Sequence, residues 1–287
     1  MSFHVLALVL SAALLHAFWN LLSKKVNGKA PFIWLMYIAS TIMYLPVLLY
    51  SLQEGEVLWS RPMLWLSLSS AVLHIGYFLI LQKGYRSSDL SVVYPLARGT
   101  GPLFSFIAAI LFFQEPLKLT ATVGLFLILG GVLVRTGLNF RKKNSPKVMD
   151  GVLWGVLTGL LIASYTFNDA VAIKNYAISP LVFTFVSNVF CIFLLFPFVA
   201  YQKDEIKREV RQHKWTIIAI GLLSPAAYIL VLEALKYAPL SVIAPARETS
   251  ILLGVFMGAR VLNEKDWKRR LIASALIMGG IIALSLS

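Results

Sequence analysis

The sequence predicts an all-α integral membrane protein of ten transmembrane helices arranged as two inverted five-helix repeats. Three observations carry that expectation: composition, the length of the apolar runs, and the placement of basic residues. Of 287 residues, 59% are hydrophobic and 14% charged, and the mean hydropathy is +0.78. A soluble domain carries about 25% charged residues and about 45–50% apolar ones. A helix crosses the roughly 30 Å hydrocarbon core in about 20 residues. Continuous apolar runs of that length lie near 3–22, 32–50, 63–82, 90–113, 118–138, 150–172, 179–201, 215–235, 240–259 and 267–286. Strands of a membrane barrel would be about ten residues of alternating polarity, and these runs do not alternate.

The first run reads as a retained helix. A signal peptide places basic residues before its apolar core, whereas here Met1 to His4 carry none, and Lys24, Lys25 and Lys29 follow the core. The other loops continue the asymmetry. Each even-numbered loop holds one basic residue: Arg61, Lys118, Lys174 or Lys236. The odd-numbered loops hold nearly all the rest, including Arg141, Lys142, Lys143 and Lys147 in the fifth and Lys203, Lys207, Arg208, Arg211 and Lys214 in the seventh. Basic loops stay in the cytoplasm, so both termini are expected on the extracytoplasmic side of a bacterial inner (plasma) membrane. The net charge of +13 is then a topology signal that favours anionic lipid headgroups. It is no indication of nucleic acid.

Several chemistries find no support. A single cysteine, Cys191, precludes an intrachain disulfide, and His4, His16, His74 and His213 lack metal-ligand spacing. There is no phosphate loop, dinucleotide fingerprint or Gly-x-Ser-x-Gly elbow. The expectation is a non-enzyme with no catalytic residues, no metal and no cofactor.

An internal repeat organises the chain. The segment from Tyr77, YFLILQKGYRSSDLSVVYPLARGTGPLFSFIAAILFFQEPL, aligns with YILVLEALKYAPLSVIAPARETSILLGVFMGARVLNEKDW from Tyr228. Ser91 falls on Ser241, Pro95 on Pro245, Arg98 on Arg247 and Glu115 on Glu264; Gly130-Gly131 and Gly279-Gly280 follow each glutamate at the same distance. A weaker match pairs HAFWN (16–20) with SYTFN (164–168). The expected division is a first repeat at 1–140, a basic linker at 141–149 and a second repeat at 150–287. Five is odd, so the second copy enters the membrane from the opposite side. That is the arrangement of secondary transporters, whose sites lie near the midplane at the repeat interface.

The segments SVVYPLARGTGPLFSFIAAILFFQE and SVIAPARETSILLGVFMGARVLNE also resemble the fourth helices of the two repeats in the EamA family of the drug/metabolite transporter superfamily. The resemblance covers nearly the whole chain. It implies a ten-helix carrier of small metabolites, often amino-acid-like compounds or drugs, frequently moved outward.

Ionisable residues inside spans are costly and are functional candidates by default. The interior acids are Asp169, Glu233 and Glu248, all in the second half, and the interior bases are Arg98 and Arg247, with His16 and His74. Arg98 has no acid on a helix of its own half, so its partner is Asp169, Glu233, Glu248 or a bound carboxylate or phosphate, which the guanidinium fork suits. The alternative is structural: either arginine can bond carbonyls freed by Pro95, Pro102 or Pro245. His16, Asn20 and Ser23 share a face of helix one, beside Trp19. Tyr165, Asn168, Asp169 and Ala172 form the corresponding stripe on helix six. Such stripes face a cavity or hold helices together. His74, Tyr77, its repeat counterpart Tyr228, and Tyr94 complete the candidate substrate-binding set. Trp59, Trp65 and Trp215 read as interfacial anchors, Gly99, Gly101, Gly130, Gly131, Gly254, Gly258, Gly279 and Gly280 as packing residues, and Glu115 and Glu264 as caps or ion pairs at helix ends.

The expected function is secondary transport of a zwitterionic or anionic small solute by alternating access. Proton coupling rests on the buried carboxylates and on histidine chemistry. A flippase for a lipid-linked intermediate and an integral-membrane enzyme are the alternatives, and monomer and homodimer both stay open.

Overall fold

A computed structural model describes residues 1–24, 26, 30–53, 60–88, 90–136, 146–250 and 267–286. Among them are ten helices: α1 (Phe3–Lys24), α2 (Ala30–Gln53), α3 (Arg61–Ser87), α4 (Leu90–Phe113), α5 (Leu119–Thr136), α6 (Pro146–Lys174), α7 (Pro180–Val199), α8 (Lys203–Leu235), α9 (Leu240–Ala246) and α10 (Trp267–Ser285). The described residues contain no strand. Helices α1 to α4 and α6 to α8 contain the seven candidate spans long and apolar enough to cross a membrane; α5 and α10 carry shorter apolar stretches, Leu119–Val134 and Ile272–Ser285. The ninth expected span is described only over its first half, and Gly254, Gly258 and Glu264 lie outside the described residues, as does 141–145 of the expected linker.

Several boundaries differ from the sequence reading: α3 continues to Ser87, α6 begins at Pro146 within the expected linker, and α8 begins earliest relative to its run. The basic stretch before the eighth span is helical from Lys203, and a break at His213 (φ −128°, ψ 16°) separates it from the apolar part of α8. Hydropathy marks KDEIKREVRQ as a loop, but its Lys, Glu, Arg and Gln residues are good helix formers.

The chain forms two compact units, and each draws on both halves of the sequence. Unit 1 comprises Met1–Leu10, Leu73–Phe167 and Tyr237–Ser287; unit 2 comprises Ser11–Val72 and Asn168–Lys236.

Small residues set the crossings in unit 1. On α6, Gly151, Gly155 and Gly159 recur every fourth residue and face α4; a Cβ on Gly155 would lie 2.7 Å from Leu96 Cβ and 3.1 Å from the Val93 carbonyl. Such small-residue stripes let membrane helices approach closely, and this one seats Arg98 of α4 beside Tyr165 of α6. Helices α5 and α10 meet in the same manner. A Cβ on Gly131 would sit 2.6 Å from Ile277, and one on Gly280 2.7 Å from the Gly124 carbonyl, whereas Gly130 faces open space. One member of each Gly-Gly pair therefore makes the crossing. The Met1 ammonium donates to the Ser285 carbonyl at 2.5 Å, and the His4 ring meets Tyr237 edge-on with centroids 5.3 Å apart. Both chain ends and the α8–α9 connection thus share one end of this unit.

In unit 2, α2 packs on α7 and α8 around Val26, Phe32, Ile217 and Ile220. Gly221 lets α8 approach α2 at Ala39 and Ser40. Polar side chains tie the helices: Trp34 Nε1 donates to the Ile192 carbonyl (3.1 Å), Tyr44 to the Leu222 carbonyl (2.8 Å) and Asn188 to Ser40 Oγ (2.9 Å).

Candidate functional site

The polar groups of unit 1 gather around a recess of no more than about 240 Å³. Helix α4 contributes Arg98, Pro102 and Ser105, one face at i, i+4 and i+7. Helix α6 contributes Ile162, Tyr165 and Thr166, and the end of α9 contributes Ala244, Arg247 and Glu248. Arg98 Nε lies 3.3 Å from Glu248 Oε2, with side-chain exposures of 26% and 6%. The two atoms are within ion-pair distance, yet neither has a hydrogen-bonding partner among the described residues. Arg247 Nη1 donates to Thr166 Oγ1 at 3.4 Å, and both guanidinium groups act electrostatically on the Glu248 carboxylate. The His74 ring stacks on Tyr165 at 4.0 Å, Tyr77 meets Tyr165 edge-on at 5.9 Å, and the phenols of Tyr94, Tyr77 and Tyr165 lie within electrostatic reach of Arg98.

Glu115 fixes the start of α9, and with it Arg247 and Glu248. The N-cap residue of α9 is Pro239, which offers no side-chain cap. The unsatisfied N–H groups of a helix start need acceptors, and Glu115 supplies both oxygens: Leu240 N–H donates to Oε1 at 2.7 Å and Ser241 N–H to Oε2 at 2.9 Å. Gln114 takes the left-handed conformation (φ 53°) that ends α4 and turns the chain toward α9. Glu115 is thus a cap, as its place at a helix end indicates.

Unit 2 holds a second polar centre. Asp169 is fully buried. Tyr228 Oη donates to its Oδ2, and Asn168 Nδ2 donates to its Oδ1 at 2.9 Å and to the Leu66 carbonyl at 3.0 Å. Ser69 Oγ donates to Asn168 Oδ1. On α1, Trp19 Nε1 donates to His16 Nδ1 (2.9 Å), and Asn20 Nδ2 to the His16 carbonyl (2.7 Å).

The candidate residues therefore fall into two groups. His74, Tyr77, Tyr94, Arg98, Tyr165, Arg247 and Glu248 belong to unit 1; His16, Trp19, Asn20, Asn168, Asp169 and Tyr228 belong to unit 2. The stripe on α6 is divided between them, because the chain passes from one unit to the other between Phe167 and Asn168. Of the three acids open to Arg98, the partner is Glu248. Glu233 pairs instead with Lys236 at 2.8 Å. Sequence reasoning passed over Ser105, Thr166 and Ser69. Ser105 was within reach, since it lies seven residues from Arg98 on the same helical face. Among the described residues, no group of three or more His, Cys, Asp or Glu is placed to hold a metal ion.

Helices of spanning length around a charged, aromatic-walled recess define a multi-pass membrane protein with an internal polar site. The sequence profile described as the EamA-like transporter family matches twice, over residues 4–136 and 149–286, and the chain belongs to that family of transporters. A solved structure described as "Crystal structure of protein" is similar over 98% of this chain and 97% of its own, with a TM-score of 0.70 and 17% identity. At that identity the likeness speaks for the fold. No curated protein matches the sequence.

Proposed function

We propose that the chain is a secondary carrier for a small zwitterionic or anionic solute, with amino-acid-like compounds favoured. It works by alternating access around the recess at Arg98, whose walls come from both sequence halves, and moves its solute outward. The observation that carries this reading is the recess itself. Among the described residues, the guanidinium groups of Arg98 and Arg247 and the carboxylate of Glu248 line it, within apolar helices. Buried charge inside a membrane is costly without a role or a partner, and a guanidinium fork suits a carboxylate.

The proposed topology is ten spans in two inverted repeats, with both termini extracytoplasmic in a bacterial inner membrane. It is supported by loop charge and by contacts in unit 1. Glu115, in the fourth loop, bonds the α9 start at the eighth loop, and Tyr237 in the eighth loop meets His4, as loops on one side must. Asp169, buried and hydrogen-bonded by neutral donors, is the proposed site of a coupling proton.

Uptake and exchange of a radiolabelled amino-acid mixture in proteoliposomes test the reading. Arg98→Ala is expected to abolish transport, and Asp169→Asn to abolish the response to a proton gradient. Unchanged kinetics in both variants would overturn it.

A further inference from the structure

We infer that Glu248 makes the recess selective for zwitterions: it receives a solute's ammonium group while Arg98 receives the carboxylate, and it turns away simple anions by holding Arg98 itself. The inference rests on the reading of the recess as the solute site.

The Arg98–Glu248 pair has the features of a contact made to be exchanged. Its atoms approach to 3.3 Å, but Arg98 Nε and Glu248 Oε2 make no hydrogen bond among the described residues. A buried ion pair holds firmly when its geometry is good and its remaining donors and acceptors are satisfied. This one lacks the first condition, because the facing atoms are close but not aligned for a hydrogen bond, and it borders the recess. Among the described residues lining the recess, Glu248 is the one acid. Asp169 belongs to unit 2, and both its oxygens already accept hydrogen bonds.

The exchange separates three classes of solute. A simple anion that takes Arg98 leaves Glu248, 6% exposed, without its nearer partner and with only the weaker pull of Arg247, which is unfavourable for a buried charge. A cation that takes Glu248 withdraws the carboxylate facing Arg98 and Arg247. A zwitterion replaces both halves of the pair at once and adds the hydrogen bonds that the pair lacks. Selectivity of this kind comes from the group left unpaired by the wrong ligand. The aromatic part of the described lining is Tyr165, backed by the stacked His74 ring, and it adds no second acid.

The probes are an equimolar mixture of neutral amino acids, the same mixture N-acetylated (anions), and the same mixture as methyl esters (cations). Each is titrated against the purified full chain with thermal shift as the readout. The wild type is expected to bind the free amino acids at least about tenfold more tightly than either derivative, the scale of one charged hydrogen-bonding contact. Glu248→Gln should lose that preference and bind the acetylated anions at least as tightly as the free amino acids. Glu248→Asp, which keeps the charge, should retain the order. A wild type that binds the acetylated mixture as tightly as the free one overturns the inference, as does a Glu248→Gln protein that keeps the tenfold preference. If Glu248→Gln does not fold, the wild-type series and Glu248→Asp decide. Binding of all three mixtures unaffected by Arg98→Gln would instead overturn the reading of the recess as the solute site.

Discussion

The two units each bury an acid among apolar helices, and they treat it differently. In unit 1, Glu248 faces Arg98 across 3.3 Å without a hydrogen bond between the facing atoms, beside empty space. In unit 2, Asp169 is fully enclosed and hydrogen-bonded by Tyr228 and Asn168, with Ser69 supporting Asn168. Full pairing fixes a side chain; incomplete pairing next to a cavity leaves it ready to meet another molecule. The comparison sets a loosely paired acid in unit 1 against a closed polar network in unit 2, and the proposed function places solute recognition at the former.

The most forceful way to break the comparison is to remove one charge from the recess. Arg98→Ala takes the nearer partner from buried Glu248 and leaves it only the weaker pull of Arg247, and stability should fall by up to about 3–5 kcal/mol. The double variant Arg98→Leu/Glu248→Leu should recover part of that loss, because neither member of the pair is left as a lone buried charge, although Arg247 then loses the Glu248 carboxylate. Thermal denaturation in detergent measures both, and a double variant no more stable than the single one would count against a loosely satisfied pair.

The unit 2 network should respond more moderately. Asp169→Asn keeps the volume but changes the hydrogen-bonding pattern toward Tyr228 and Asn168, a loss of about 1–3 kcal/mol. An effect as large as that of Arg98→Ala would erase the contrast between the units. Next comes Glu115→Ala, which leaves the Leu240 and Ser241 N–H groups without their acceptor and should cost about 0.5–2 kcal/mol. Hydrogen exchange should accelerate at those two amides in the variant and not at the start of α7. The smallest effect is a gain: Gln114→Gly relieves a left-handed residue at the end of α4 and should add about 1 kcal/mol or less, read as a small rise in Tm.

Much of this was legible in the chain itself, for identifiable reasons. Counting spans left Arg98 with three candidate acids, but choosing Glu248 needed the crossing of α4 with α9, which no local pattern encodes. Glu115 was placed at a helix end by hydropathy, whereas its bond to α9 depends on a turn at Gln114 that Gln does not announce. The Gly130-Gly131 and Gly279-Gly280 pairs were visible as packing residues, and Gly131 and Gly280 are the members that touch. The stripe of Gly151, Gly155 and Gly159 went unread although its four-residue spacing is a recognisable packing signal. The helical stretch from Lys203 was hidden because hydropathy reports burial in lipid, and an amphipathic basic segment has little of it. Ser69 and Thr166 lie in short polar clusters (Ser67, Ser69 and Ser70; Ser164, Tyr165 and Thr166) that spread over the helix surface, and only the fold shows which of them touch.

The most direct test of the central claim is a structure of the full chain determined with the neutral amino-acid mixture present. A solute carboxylate within hydrogen-bond distance of the Arg98 guanidinium, with Glu248 drawn away from it, is the result this account predicts. Solute bound instead among Asp169, Tyr228 and Asn168, with the Arg98–Glu248 pair undisturbed, would contradict it.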